Sequence, residues 1–216
     1  VEGPGDPSKA IGRFGKGKIG KERQGVTAAL KIVEPQPLRL DIGCGKNKQA
    51  GFIGVDRIAF DGVDHVVDVT AAPLPFETST VDEVFSSHFV EHLTQVQRCA
   101  FFNEIWRVLK PGAKATIITP HWSNARAYGD PTHQWPAISE WFYLYLNKEW
   151  RAANAPHTDA EHWPQGYACD FEGGCVTTVN TQHPELSGRN VDMQNFATRN
   201  YINVNVDAYA TLTAKK

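Results

Sequence analysis

Residues 38–56, LRLDIGCGKNKQAGFIGVD, constrain the fold more than any other segment of the chain. Leu38–Ile42 is an apolar-rich run with β character, Gly43-Cys44-Gly45 is a tight turn, and Phe52–Asp56 is a second strand closed by an acid. A strand entering glycines, followed by a strand ending in a carboxylate, is how an α/β sheet builds a nucleoside pocket at its carboxyl edge. The glycines let backbone approach a ligand with no Cβ between them, and Asp56 is placed to accept hydrogen bonds from two ribose hydroxyls.

The nearest alternative is a nicotinamide-binding G-x-G-x-x-G turn, but its third glycine, which packs helix on strand beneath a pyrophosphate, is replaced by Lys48. The acid also follows too soon after Gly45 to leave room for a full helix. A pocket without a pyrophosphate suits S-adenosylmethionine. At Asp41-Ile42-Gly43-Cys44-Gly45 the chain resembles the class I S-adenosylmethionine-dependent methyltransferases, whose first motif is (D/E)-x-G-x-G.

Further landmarks follow in that family's order. Val63–Val69 reads as a third strand carrying Asp68, and residues 81–87, VDEVFSS, as a fourth. The apolar spacing Val90, Leu93, Val96, Phe101, Ile105, Val108 and Leu109 is helical, with Pro111-Gly112 as a stop and Ala115–Thr119 as the fifth strand. Residues 166–180 and 207–216 read as a sixth and a seventh strand, with a polar loop between them. The resemblance implies an α/β, Rossmann-like sheet of seven strands, mostly parallel with an antiparallel edge hairpin and helices on both faces. It implies a cofactor site made of Asp41, Gly43, Cys44, Gly45, Asp56, Arg57, Asp68, Val69, Ser87 and His88, in which Asp68 accepts from the adenine amino group and the Val69 N–H meets the ring. The function it implies is methyl transfer to an O or N nucleophile.

Methyl transfer from a sulfonium needs alignment and a dry pocket. A hydroxyl or protonated amine also needs a base, for which histidine is suited near neutral pH. His88, His121 and His133 are the candidates, each equally readable as a hydrogen-bonded structural histidine. His88-Phe89-Val90-Glu91-His92 spells H-x-x-E-H, a metalloprotease pattern, here at the start of a helix after a nucleotide-fold strand. Plant small-RNA 2′-O-methyltransferases and ubiquinone-pathway O-methyltransferases are similar here, with E-x-x-E-H and a later histidine in a segment like Thr132-His133-Gln134-Trp135. In the RNA enzymes that set holds a divalent metal. Glu91, His92 and His133 are therefore candidate ligands. His88, standing where those families have Glu, would make a set of three His and one Glu that favours Zn, Fe, Mn or Ni over Mg.

A small-molecule acceptor is the leading expectation. The alternatives are metal-assisted methylation of a nucleic-acid or sugar hydroxyl, and a protein that binds S-adenosylmethionine without turnover. Ser86-Ser87-His88-Phe89 lacks the prolines of DNA amino-methyltransferases, and the Pro-Cys pair of cytosine enzymes is missing. A net charge of −2 carries no polyanion signature. No apolar run approaches the length of a membrane span and no export signal is visible, so a cytoplasmic protein with reduced thiols is expected.

Residues 1–20 read as a flexible, basic, Gly-rich arm, residues 21–33 as a helix, and residues 21–216 as a single domain. Five of the six tryptophans (122, 135, 141, 150, 163) fall in an aromatic-rich insertion at 121–165. Its part 139–150 reads as a helix packing aromatics on the sheet. Its part 121–135 mixes His121, Arg126, Tyr128, Asp130 and His133 with two tryptophans and reads as a site.

Overall fold

The computed structural model describes residues 36–158, 160–162, 166–179 and 183–216. The expected arm at 1–20, the helix at 21–33 and Trp163 lie outside the described residues. β1 (Arg39–Ile42), β2 (Ile53–Asp56), β3 (His65–Val66), β4 (Val81–Ser87) and β5 (Leu109–Pro120) are parallel neighbours. β7 (Asn205–Ala214) runs antiparallel between β5 and β6 (Phe171–Val179). The sheet order β3-β2-β1-β4-β5-β7-β6 is the expected seven-stranded architecture, and it reverses direction of growth between β1 and β4. Loops at the carboxyl ends of strands beside such a reversal form a crevice.

Among the described residues every helix follows β4. α1 (Gln95–Val108) buries Arg98, Phe101, Phe102, Ile105 and Val108, a stripe at the i, i+3, i+4, i+7 spacing of one helical face. It opens with a capping box in which the Thr94 side chain accepts from Gln97 N–H and the Gln97 side chain accepts from Thr94 N–H. The residues before it, Val90–His92, form a separate 3-10 turn, so H-x-x-E-H does not lie on one face of an α-helix.

Two expected boundaries move. Helix α1 ends at Val108, before Pro111-Gly112, and β5 already begins at Leu109. The β4–β5 register jumps from Val81↔Leu109 to Glu83↔Lys114, so Pro111 and Gly112 sit in a bulge inside the strand. A bulge tolerates a proline that has no N–H for the ladder and a glycine at φ +76°. β3 shrinks from the expected seven residues to two, because it is an edge strand and Asp64 diverts the chain. The Asp64 carboxylate takes both the Gly54 N–H and Lys48 Nζ. α5 (Val191–Asn200), capped by the Asn190 side chain on Met193 N–H, occupies part of the connection between β6 and β7.

The aromatic segment splits into α2 (Arg126–Gly129), α3 (Glu140–Leu144) and α4 (Lys148–Asn154). Tyr143 and Leu146 join the core and Phe142 packs against it, as the packing reading requires, whereas Trp141 points outward. No helix among the described residues is long and apolar enough to cross a membrane.

Candidate active site

The glycine turn forms as the sequence dictates. Gly43 and Gly45 take φ +72° and +52°, and a Cβ at Gly43 would run into the Phe89 ring, whose own Cβ would lie 2.7 Å away. Gly43 N–H donates to Val55 O at 2.8 Å, stitching the turn to β2. Asp56 closes it from the other side: its Oδ2 accepts from Gly45 N–H and its Oδ1 from Ile58 N–H, both at 2.9 Å. A carboxylate offers about four lone-pair directions, so two remain for ribose hydroxyls.

A cavity of about 290 Å³ opens here, at the low end of ligand-pocket size. Gly43, Asp56, Arg57, Asp68, Val69 and His88 line it, which gathers six of the ten residues implied for the cofactor. Asp68 uses Oδ1 to accept from Thr70 N–H and Thr70 Oγ1, at 2.9 and 2.7 Å. Its Oδ2 has no hydrogen-bond partner among the described residues.

The other four stand behind the wall. Asp41 is buried and accepts from Gln49 N–H at 2.7 Å, so it braces the loop rather than facing the cavity. Burial first, and then the nearby charge of Asp56, raise its pKa, against the Gln49 hydrogen bond and Lys48. Cys44 is also buried, its thiol pushed up to about 11 by burial and by Asp41 and Asp56, and it packs beside Gly54. Gly45 acts through its N–H on Asp56, and Ser87 does not line the cavity. Ile58, Phe60, Thr70, Leu93 and Gln97 also line it and were not expected. The apolar residue two places after Asp56 was the readable signal for Ile58.

A second cavity of about 780 Å³ lies beside the first, lined by His88, Glu91, His92, Pro120, Arg126, Asp130 and His133 among others. His88 and His92 border both cavities. His88 takes a left-handed backbone, φ +53°, at the end of β4, pinned by its N–H on Ile118 O at 2.8 Å. A non-glycine residue held there is strained and is worth attention as a functional position. His88 Nδ1 lies 3.3 Å from Glu91 Oε1. The hydrogen bond to Glu91, against partial burial, raises the imidazole pKa above its ordinary value.

Glu91, His92 and His133 come together as expected, with one ligand-capable atom of each within 4.8 Å of the others. Their hydrogen bonds set the ring tautomers. Thr132 Oγ1 donates to Asp130 Oδ1 at 2.6 Å and so accepts from His92 Nδ1 at 2.9 Å. His133 Nδ1 donates to Ala127 O at 3.2 Å. In the neutral rings both Nε2 atoms therefore keep a lone pair, that of His133 with Asp130 Oδ2 3.8 Å away. His88 bonds to Glu91 and stands outside this group, which corrects the expected three-His, one-Glu set to two His and one Glu.

His121 is buried, and the structure does not support its reading as the base. Nδ1 accepts from Ser123 N–H at 3.2 Å, so the proton is on Nε2, which donates to Glu140 Oε1 at 2.8 Å. The Ser123 hydroxyl also lies 2.8 Å from Nδ1. With both nitrogens engaged, the ring joins the end of β5 to α3.

A family model described as a methyltransferase domain matches residues 40–117, from β1 into β5. Among solved structures, a methyltransferase dependent on S-adenosylmethionine from Archaeoglobus fulgidus is 21% identical, with a TM-score of 0.54 over 83% of this chain and 86% of that one. A methyltransferase of the same kind from Methanosarcina mazei is 14% identical, with a TM-score of 0.48 over 85% of this chain and 94% of its own. At such identities the likeness is one of fold. No curated protein matches the chain. The family match runs from β1 into β5 over the glycine turn and its acids, and with a sheet of this order it gives the chain a methyltransferase-type, Rossmann-like fold similar to that of S-adenosylmethionine-dependent methyltransferases.

Proposed function

We propose that the protein methylates a hydroxyl of a small molecule bound in the 780 Å³ cavity, with a divalent metal held by Glu91, His92 and His133 fixing that hydroxyl. The observation that carries this reading is Glu91 Oε2, which is buried with no hydrogen-bond partner among the described residues. Leaving a carboxylate oxygen dry and unpaired is costly, and such an atom calls for an explanation. A cation between it and the two Nε2 lone pairs supplies one. Donors about 2.0–2.2 Å from a tetrahedral metal lie about 3.4 Å from each other, so these side chains, whose ligand atoms lie within 4.8 Å of one another, would draw in by up to about 1.4 Å on binding. Two imidazoles and a carboxylate suit Zn, Mn or Fe better than Mg. When bound, the ion lowers the pKa of an acceptor hydroxyl.

The remaining work falls to the chain. Asp56 and Asp68 would hold the nucleoside end of the cofactor, and His88, which lines the same cavity, would stand between it and the acceptor cavity. With Nδ1–H directed at Glu91, the His88 Nε2 lone pair faces the cavities and accepts the hydroxyl proton. The oxygen then bonds to the methyl carbon as the carbon–sulfur bond breaks, its electron pair returning to sulfur as S-adenosylhomocysteine. Glu91, Asp130 and Asp207 lie on or beside this cavity with Arg126, which is itself paired to Asp207 at 3.2 Å, so a polyanionic acceptor is poorly served and a small one favoured.

Elemental analysis of protein dialysed against Mn, Zn or Fe is expected to give a stoichiometric ion in the parent chain and none in Glu91→Gln or His133→Ala. Calorimetric titration of S-adenosylmethionine on the same variants is expected to show affinity within about twofold of the parent. No stoichiometric ion, together with turnover unaffected by chelator, would remove the metal and leave His88 as the reading's sole catalytic feature.

A further inference from the structure

On the other side of α2 and the 130–136 segment lies a third cavity of about 510 Å³, whose wall is aromatic. Trp122, Tyr128, Trp135 and Trp141 line it, exposed by 45, 55, 78 and 66%. Four large rings left to water around one groove form an apolar patch of the kind that marks a ligand site. Tyr128 and Trp135 lie with centroids 6.5 Å apart. Among the described residues no lysine or arginine stacks on any of these four rings, although four such pairs occur elsewhere in the molecule. Their ring neighbours are aromatic instead: His121 lies by Trp122 and Trp150 by Trp141, with centroids 5.7 and 6.2 Å apart.

Glu140 stands in the same groove. Its neighbour His121 is neutral, because Nδ1 accepts a backbone N–H and only Nε2 carries a proton. The imidazole orients the carboxylate through its Nε2–H hydrogen bond. Partial burial is the largest single influence and would raise the Glu140 pKa, but hydrogen bonds from His121, the backbone and Trp122, with the electrostatic interaction with His121, together hold the group below its ordinary value. An anion set among aromatic faces attracts one class of ligand: ring quadrupole and carboxylate both draw a weakly hydrated cation. They repel phosphate.

We propose that the groove formed by Trp122, Tyr128, Trp135 and Trp141 around Glu140 is a binding site for an organic ammonium group. Arg199 of α5 also lines the groove and opposes a simple cation there. Removing its charge therefore has a predictable sign. The groove shares α2 and the 130–136 segment with the larger cavity, so an ammonium group is a handle by which an acceptor is selected. That last step rests on the methyl-transfer reading; the binding itself does not.

Calorimetric titration with choline and with its uncharged isostere 3,3-dimethylbutan-1-ol separates charge from shape. Choline is expected to bind roughly fivefold or more tightly than the alcohol. Glu140→Gln keeps an oxygen for His121 Nε2 and is expected to abolish that preference while leaving the alcohol unchanged. Trp135→Ala, at the most exposed of the four rings, is expected to weaken both probes, and Arg199→Gln to tighten choline. His88→Ala should leave choline binding intact, so failure of the catalytic reading and of this one remain distinguishable. Equal affinity for the two probes, or no saturable binding of either, would overturn the assignment.

Discussion

Asp56→Ala is expected to weaken S-adenosylmethionine binding about ten- to a hundredfold, the ~1.5–3 kcal/mol of a hydrogen bond to a charged group. The carboxylate does two things from the end of β2. It fixes the glycine turn through Gly45 N–H and the following residues through Ile58 N–H, and it offers its remaining lone pairs to the cavity. Alanine removes both. Asp56→Asn separates them, since its amide oxygen can still accept from Gly45 while its nitrogen cannot accept from a ribose hydroxyl. An Asn variant that binds as weakly as Ala assigns the loss to the ligand contact. One that binds like the parent assigns it to the turn. Calorimetric titration of all three proteins decides, and unchanged affinity in Ala would place the cofactor outside this cavity.

The cofactor half of the site was legible because its chemistry is local. A glycine turn and an acid a few residues later need only two adjacent strands, and hydrophobic runs mark both. What could not be read was which face a residue takes. Asp41 belongs to the motif yet points behind the turn to Gln49, because β1 is buried on both faces and its acid needs a backbone partner. The sequence names the three side chains that the structure brings together, Glu91, His92 and His133, but not their geometry. H-x-x-E-H reads as the start of a helix, but Thr94-x-x-Gln97 is a capping box and marks the true helix start beyond it. That start leaves His88 in a left-handed turn, bonded to Glu91 instead of beside it as a ligand. His121 was indistinguishable in sequence from His133. Their difference lies in partners 19 residues away for one and in the neighbouring turn for the other.

Arg98→Leu is expected to cost about 3–5 kcal/mol of stability, since it leaves three carbonyl acceptors without their donor at about 1–3 kcal/mol each when they are buried, in part offset by removing a desolvated charge. At about 2–4 °C per kcal/mol for a chain of this size, calorimetry should show the melting temperature fall by about 6–20 °C. Arg98 is fully buried and, among the described residues, forms no ion pair with a carboxylate. Its guanidinium instead donates to three carbonyls: Val90 O at 3.3 Å, Gln134 O at 3.1 Å and Pro136 O at 2.8 Å. Each carbonyl adjoins or closely follows a residue of the site, Val90 before Glu91 and Gln134 after His133. Gln134 N–H closes the same clasp on Glu91 O at 2.8 Å. One side chain on α1 thus holds the 3-10 turn and the 134–136 segment together, and with them the spacing of Glu91 and His92 against His133. Arg98→Lys keeps the charge but cannot present a planar fork to three acceptors, so it should recover part of the stability without restoring that spacing. The glycine turn and acids of the cofactor cavity are carried by β1, β2 and the segment after β3, although His92, Leu93 and Gln97 beside the clasp also line it. Binding of S-adenosylmethionine measured below the lowered melting temperature is therefore expected to survive in the Lys variant, while metal uptake falls. A melting temperature within about 2 °C of the parent for Arg98→Leu would mean that water has replaced the guanidinium at all three carbonyls and that the turn and the segment hold each other without it.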